Sequence, residues 1–288
     1  MELVSALRQS IYLSRGRVLL RRLGMRRVLG MIAAVRAPHT GRRPVSPEGE
    51  RADIRLGPLA ASFHVSSPAE MARVESLNGE RRILGRLLQE VRGGDVVYDI
   101  GANIGLYSAF LARAVGEAGA VIAFEPERRC FERCRENLAL NSLHNVRQFD
   151  CALGNQEQEI ALVVDETPSS GVHRVLRGAN GNVEARLQPA LMVLGDRFIA
   201  RESLPIPNVL KIDVEGFEEE VLLGLSDTLA HPQCRVVFCE VHFAVLDERG
   251  RWDAPRRMIR FLQRRGFSAF RWLSSGHVMA SKPTPGRE

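Results

Sequence analysis

Two short stretches of this chain bring together side chains able to move a proton. Asp213 and Glu215 follow the apolar run Val209-Leu-Lys-Ile212, and Glu240 and His242 close a second run that begins at Cys234. Side chains alternate along a strand, so Glu240 and His242 share a face. Carboxylates beside an imidazole are suited to taking the proton from a hydroxyl as it attacks an electrophile. Placing four titratable groups at the ends of two apolar strands is costly unless they serve a site. The spacing predicts His242 as general base with Glu240 orienting its ring, and Asp213 close to the reacting centre. Asp213 also fits as a cap for the helix that starts near Gly216. Asp213 and Glu240 together could hold Mg²⁺, but two carboxylates and one imidazole are a thin, mixed set for so hard an ion, and no metal is the favoured reading. Cys130 and Cys134 lack the His or Cys pair that zinc needs.

A ligand that meets these groups has its own signature. Val97-Tyr-Asp-Ile-Gly-Ala-Asn-Ile-Gly105 runs an apolar strand into a glycine-rich turn that opens a helix. Gly101 and Gly105 let a ligand approach the backbone, Asn103 tolerates a left-handed conformation, and the helix start offers free N–H groups. The third glycine of a dinucleotide fingerprint is missing. Asp99 just before the turn suits an ammonium or sulfonium better than a pyrophosphate, which disfavours a nicotinamide oxidoreductase. Glu125 closes the next strand, where a carboxylate can accept hydrogen bonds from both ribose hydroxyls. Asp150 closes the third, where a base would lie. A nucleoside with a cationic tail, gripped by Asp99 and Glu125, is the ligand these positions predict.

The elements that must hold these residues alternate. A helix is expected over 75–91, then a strand over 96–100, a helix over 105–116, a strand over 120–124, a helix over 127–140 and a strand over 146–150. A strand over 158–165 precedes a polar stretch, 166–190, that reads as a loop or β insertion. Strands at 209–213 and 234–240, helices at 217–229 and 254–265, and a closing pair at 267–272 and 277–280 complete the pattern. Apolar strands separated by helices predict a doubly wound α/β sheet covered on both faces.

Four of these segments together resemble the FkbM family of S-adenosylmethionine-dependent methyltransferases: Asp99-Ile-Gly-Ala-Asn-Ile-Gly105, Phe124-Glu-Pro126, Ala152-Leu-Gly154 and Lys211-Ile-Asp-Val-Glu-Gly216. The resemblance spans roughly residues 80–245. It implies a seven-stranded Rossmann-like sheet in the order 3-2-1-4-5-7-6, S-adenosylmethionine as cofactor, and O-methylation of a hydroxyl on a sugar, glycolipid or secondary metabolite. The family's acidic positions carry onto Asp99, Glu125 and Asp213.

Composition narrows the alternatives. The chain has 288 residues, 45% hydrophobic and 26% charged, which excludes a disordered or collagen-like protein. Ten arginines and one acid fall within residues 1–43, while the whole chain carries only +6, so the rest is net negative. This segment has apolar residues at helical spacing (Leu3, Val4, Leu7, Ile11) and could lie on an anionic membrane surface. The breaker-rich stretch 37–47 reads as a linker, which divides the chain into a basic extension, 1–50, and a methyltransferase domain, 51–288. The apolar run Val28–Val35 is far short of the roughly 20 residues that span a bilayer. Five cysteines without a CxxC pair suit a reducing compartment, so a cytoplasmic protein, peripheral to a membrane at most, is expected. With 38 arginines against two lysines, the basic charge is weak support for nucleic-acid binding, and an RNA methyltransferase or an inactive nucleoside-binding scaffold are the lesser readings. The acceptor pocket is expected from residues 166–190 and 243–253.

Overall fold

The structure, a computed structural model, describes residues 50–66, 71, 74–164, 174–175 and 186–283. The basic segment 1–43, the linker 37–47 and most of 166–190 lie outside the described residues.

A hairpin comes first, β1 (Glu50–Leu56) and β2 (Leu59–Val65), paired antiparallel around Gly57 and Pro58. It is followed by α1 (Arg81–Glu90), β3 (Val96–Ile100), α2 (Leu106–Val115), β4 (Ala120–Phe124), α3 (Arg128–Leu140) and β5 (Val146–Phe149). Next come β6 (Cys151–Gly154), β7 (Gln158–Val164), β8 (Arg174–Val175), β9 (Arg186–Leu194) and α4 (Gly195–Arg201). The last third holds β10 (Val209–Ile212), α5 (Glu218–Gly224), α6 (Ser226–Ala230), β11 (Val236–Glu240), α7 (Phe243–Glu248), α8 (Ala254–Arg264), β12 (Ala269–Trp272) and β13 (His277–Ser281).

The central sheet has seven strands in the order β12-β13-β11-β10-β3-β4-β5. Its five strands from β11 to β5 are parallel, while β13 runs antiparallel to β11 and to β12. Counted along the chain as strands 1 to 7, the neighbours read 3-2-1-4-5-7-6. This is a mixed α/β fold with a mostly parallel sheet. Alternation along each strand feeds two cores. Val97, Val121, Val209 and Phe238 pack with Leu84, Leu87, Phe110 and Leu138 on one face. Tyr98, Ile100, Phe124, Leu210 and Ile212 pack with Phe198, Val221, Leu222 and Leu262 on the other. Burial on both faces is why these strands read as unbroken apolar runs.

Two expectations change in detail. The helix expected over 75–91 is interrupted by a 3₁₀ turn at Leu77–Gly79, because Leu77 (φ 48°) and Gly79 (φ 77°) leave the helical region. The helix expected over 217–229 breaks at Leu225 into α5 and α6. Strand β9 begins within the end of the interval read as a loop or β insertion, and joins β6, β7 and β8 in a second sheet of order β6-β9-β7-β8. That small sheet, which contributes Ile160, Leu162 and Met192 to a third cluster with Phe217, roofs the edge of the central sheet where the chemistry-bearing residues gather.

Candidate active site

A cavity of about 280 Å³ opens at the C-terminal ends of β3, β4, β10 and β11. Its floor is the glycine-rich turn. Gly101 has φ 82°, and a Cβ there would stand 1.9 Å from the Asp213 carbonyl oxygen, so only glycine fits. Asn103 adopts φ 52° and its side-chain oxygen accepts from the Ile104 N–H at 2.8 Å. Gly105 (φ 82°) precedes α2 and backs onto Cys134 Sγ, which a Cβ would approach to 2.6 Å. No side chain caps the N-terminus of α2.

Glu125 stands at the rim. Its carboxylate accepts the Asn103 N–H at 2.7 Å and the Glu127 N–H at 2.9 Å, which fixes it against the turn. Burial pushes its pKa up to about 7, although the two N–H donors favour the charged form. The walls beyond it, Pro126, Ala152, Leu153 and Met192, are apolar.

Asp99 is fully buried and absent from the cavity lining. Its carboxylate is held beneath the turn by Ser108 Oγ at 2.6 Å and by Lys211 Nζ at 3.1 Å. Lys211 also donates to the Gly101 carbonyl at 2.7 Å and lies 3.5 Å from Asp213. Burial disfavours its charge, yet Asp99 and Asp213 hold its pKa above the ordinary value. The pair ties β3 to β10 directly under the turn. Asp150 is exposed and outside the lining, to which the residues that follow it, Cys151 to Leu153, contribute.

Beside the turn Asp213, Glu215, Glu240 and His242 meet, as their places at the ends of β10 and β11 predict. The imidazole Nε2 of His242 lies 3.4 Å from Glu215, 3.7 Å from Asp213 and 3.9 Å from Glu240. The group that orients the ring is not Glu240. Glu218, fully buried in the first turn of α5, contacts Nδ1 at 2.7 Å, while Glu240 turns its other oxygen toward His277 at 3.3 Å. Burial works against a charge on His242, but the Glu218 hydrogen bond and the carboxylates around it raise its pKa well above the ordinary value. Glu215 is pushed up to about 7 by burial, with φ 49° in its backbone. In Glu240 burial is outweighed by the His277 hydrogen bond and two imidazole charges, which bring it down to about 2. Glu80 and Tyr107, bonded to each other at 2.9 Å, complete the lining beside Glu240.

The segment that carries His242 is anchored from behind. Arg249 and Arg251 pair with Glu220, and Arg251 and Arg257 with Glu219, tying the stretch after β11 to α5.

Lys211, Glu218, Glu80 and Tyr107 were not singled out as site residues from sequence. A lysine inside an apolar strand is a signal for a buried ion pair, and Lys211 is one of only two lysines. Glu80 and Tyr107 carry no local signal, since only the packing of the chain before α1 against α2 brings them to this edge.

A family profile described as "Methyltransferase FkbM domain" matches residues 99–269, more than half of the chain. The hexuronic acid methyltransferase AglP of Haloferax volcanii is 30% identical over 186 residues, covering 65% of this chain and 72% of AglP. The 31-O-demethyl-FK506 methyltransferase FkbM of Streptomyces tacrolimicus is 32% identical over 179 residues, covering 53% of this chain and 67% of that protein. Among solved structures, the methyltransferase FkbM of Methylobacillus flagellatus superposes with a TM-score of 0.44 at 12% identity, over 75% of this chain and 55% of its own. The chain therefore belongs to the FkbM methyltransferase family and is an S-adenosylmethionine-dependent methyltransferase.

Proposed function

We propose that this protein transfers a methyl group from S-adenosylmethionine to a hydroxyl of a sugar, glycolipid or secondary metabolite. The observation that carries the reading is a cavity lined both by a glycine-rich turn with an acidic rim and, beside it, by a cluster of carboxylates around an imidazole. The names of two relatives, a hexuronic acid methyltransferase and a 31-O-demethyl-FK506 methyltransferase, support a small hydroxyl acceptor.

The residues present fit the cofactor. Gly101, Ala102 and Asn103 of the turn line the cavity, Glu125 offers acceptors for ribose hydroxyls, and Leu153, Pro126 and Met192 offer an apolar wall for a base. When bound, the cofactor supplies a methyl group on a sulfonium, which needs no further activation as an electrophile. The protein's share is to place the acceptor oxygen in line and to receive its proton. Asp213, Glu240 and His242 are the catalytic candidates, Asp213 and Glu240 from neighbouring strand ends and His242 through a ring that Glu218 holds in place. Lys211 and Asp99 brace the floor.

Calorimetric titration with S-adenosylmethionine, S-adenosylhomocysteine and NAD tests the cofactor, followed by transfer of labelled methyl to a panel of sugars and hydroxylated metabolites. Binding of the two sulfur nucleosides but not NAD, and label on an acceptor oxygen, are expected. Label appearing only on nucleic acid would overturn the hydroxyl reading.

A further inference from the structure

We propose that Asp213, Glu215 and His242 form a site for one divalent transition-metal cation, of the Mn²⁺ or Zn²⁺ type, at the acceptor end of the cavity. One oxygen from each carboxylate and Nε2 of the imidazole all lie within 4.8 Å of one another. Two ligands each about 2.1 Å from one ion stand about 3.0–3.4 Å apart at octahedral or tetrahedral angles. Nε2 is already 3.4 Å from Glu215 and 3.7 Å from Asp213, so small side-chain rotations close the set.

Two further observations point the same way. Nδ1 is held by the carboxylate of Glu218 at 2.7 Å, the outer partner that fixes the tautomer of a metal-bound histidine and turns its other nitrogen to the ion. The second oxygen of Glu218 is buried without a hydrogen-bond partner. Four carboxylates surround one imidazole here, and the one lysine nearby, Lys211, is shared between Asp99, the Gly101 carbonyl and Asp213. An imidazole among carboxylates selects Mn²⁺ or Zn²⁺ over the all-oxygen shell that Mg²⁺ prefers. The neighbouring trio Glu80, Glu240 and His277 is bonded within itself: Tyr107 donates to Glu80, and His277 is held between Ser274 and Glu240. One ion per chain is therefore expected.

The role of the ion rests on the hydroxyl-methylation reading. An acceptor oxygen on an open coordination position has its O–H polarised. The oxygen then forms its bond to the methyl carbon as the carbon–sulfur bond breaks, the sulfur keeps that electron pair as a neutral thioether, and the proton is released to bulk water. With a cation on Nε2, His242 is a ligand and not the proton acceptor.

The test is titration of the chelator-treated full chain with Mn²⁺, followed by electron paramagnetic resonance and electron spin-echo modulation. Expected are one saturable Mn²⁺ per chain and modulation from an imidazole nitrogen. That modulation should vanish in His242→Gln, affinity should fall more than tenfold in Asp213→Asn and Glu215→Gln, and Glu218→Gln should weaken binding about 10–100-fold. Absence of saturable binding, or of the imidazole signal in the unsubstituted chain, overturns the proposal whatever the variants do. Full methyl transfer after exhaustive chelation would overturn the catalytic role alone. A bound ion in a chain that methylates no hydroxyl would instead overturn the reading of function.

Discussion

Glu125 and Lys211 are both buried charges, and they answer to opposite rules. The folded pKa of Glu125, about 7, lies above its ordinary value of 4.5, so folding favours its protonated form. Its contribution to stability is therefore lost as pH rises from about 4.5 to 7, and the ionised carboxylate is retained for a use other than stability. If that use is to accept ribose hydroxyls, affinity for S-adenosylhomocysteine falls as pH drops below 7, approaching tenfold per pH unit, and Glu125→Gln flattens the profile. A profile that keeps its slope in Glu125→Gln would assign the titration elsewhere; calorimetry between about pH 5.5 and 8 reads both. Lys211 is a buried ion-pair partner at the cavity floor. Lys211→Met leaves Asp99 charged and buried with only Ser108, and is expected to lose about 3–5 kcal/mol in urea unfolding. Loss of less than about 1 kcal/mol would mean that Asp99 takes up a proton instead.

Among elements, the turn between β3 and α2 is set by contact as much as by conformation. Gly101→Ala would drive a Cβ into the Asp213 carbonyl, pushing β10 away from β3 at the point where the cavity opens. A loss above about 2 kcal/mol together with loss of nucleoside binding is expected. Gly94→Ala is the control, since Gly94 shares a positive φ (83°) but has open space around its missing Cβ, and should cost about 1 kcal/mol with binding intact. Equal unfolding midpoints for the two variants would mean that the contact with Asp213 relaxes freely. The strands on either side were legible because both faces are covered and the apolar runs are unbroken. The hairpin β1–β2 and strand β9 were not, since their pairing depends on partners distant in sequence: β2 donates main-chain N–H groups to Asn137 of α3 and to Asn141 at its C-terminus, and β9 pairs with β6 and β7.

Over the whole molecule the charge is divided, with a basic segment at residues 1–43 and a net negative remainder. No helix among the described residues is long and apolar enough to cross a membrane. If the basic segment serves as a surface anchor, deleting residues 1–43 abolishes flotation with anionic vesicles, while methyl transfer to a soluble acceptor is unchanged. Equal flotation of the full and shortened chains would remove the membrane from the account.

Sequence alone determined the order of strands and helices, the glycine-rich turn and the acidic residues that end the strands, because each is written in local spacing and in apolar runs that parallel pairing demands. Which carboxylate does what was decided only by tertiary structure. Asp99 turns inward because a lysine from β10, more than a hundred residues on, lies beneath it. His242 is steered by Glu218 because the start of α5 packs closer to the imidazole than the far oxygen of Glu240 does. Charge partners are chosen by distance in space, and spacing along one chain does not encode the distance between its strands.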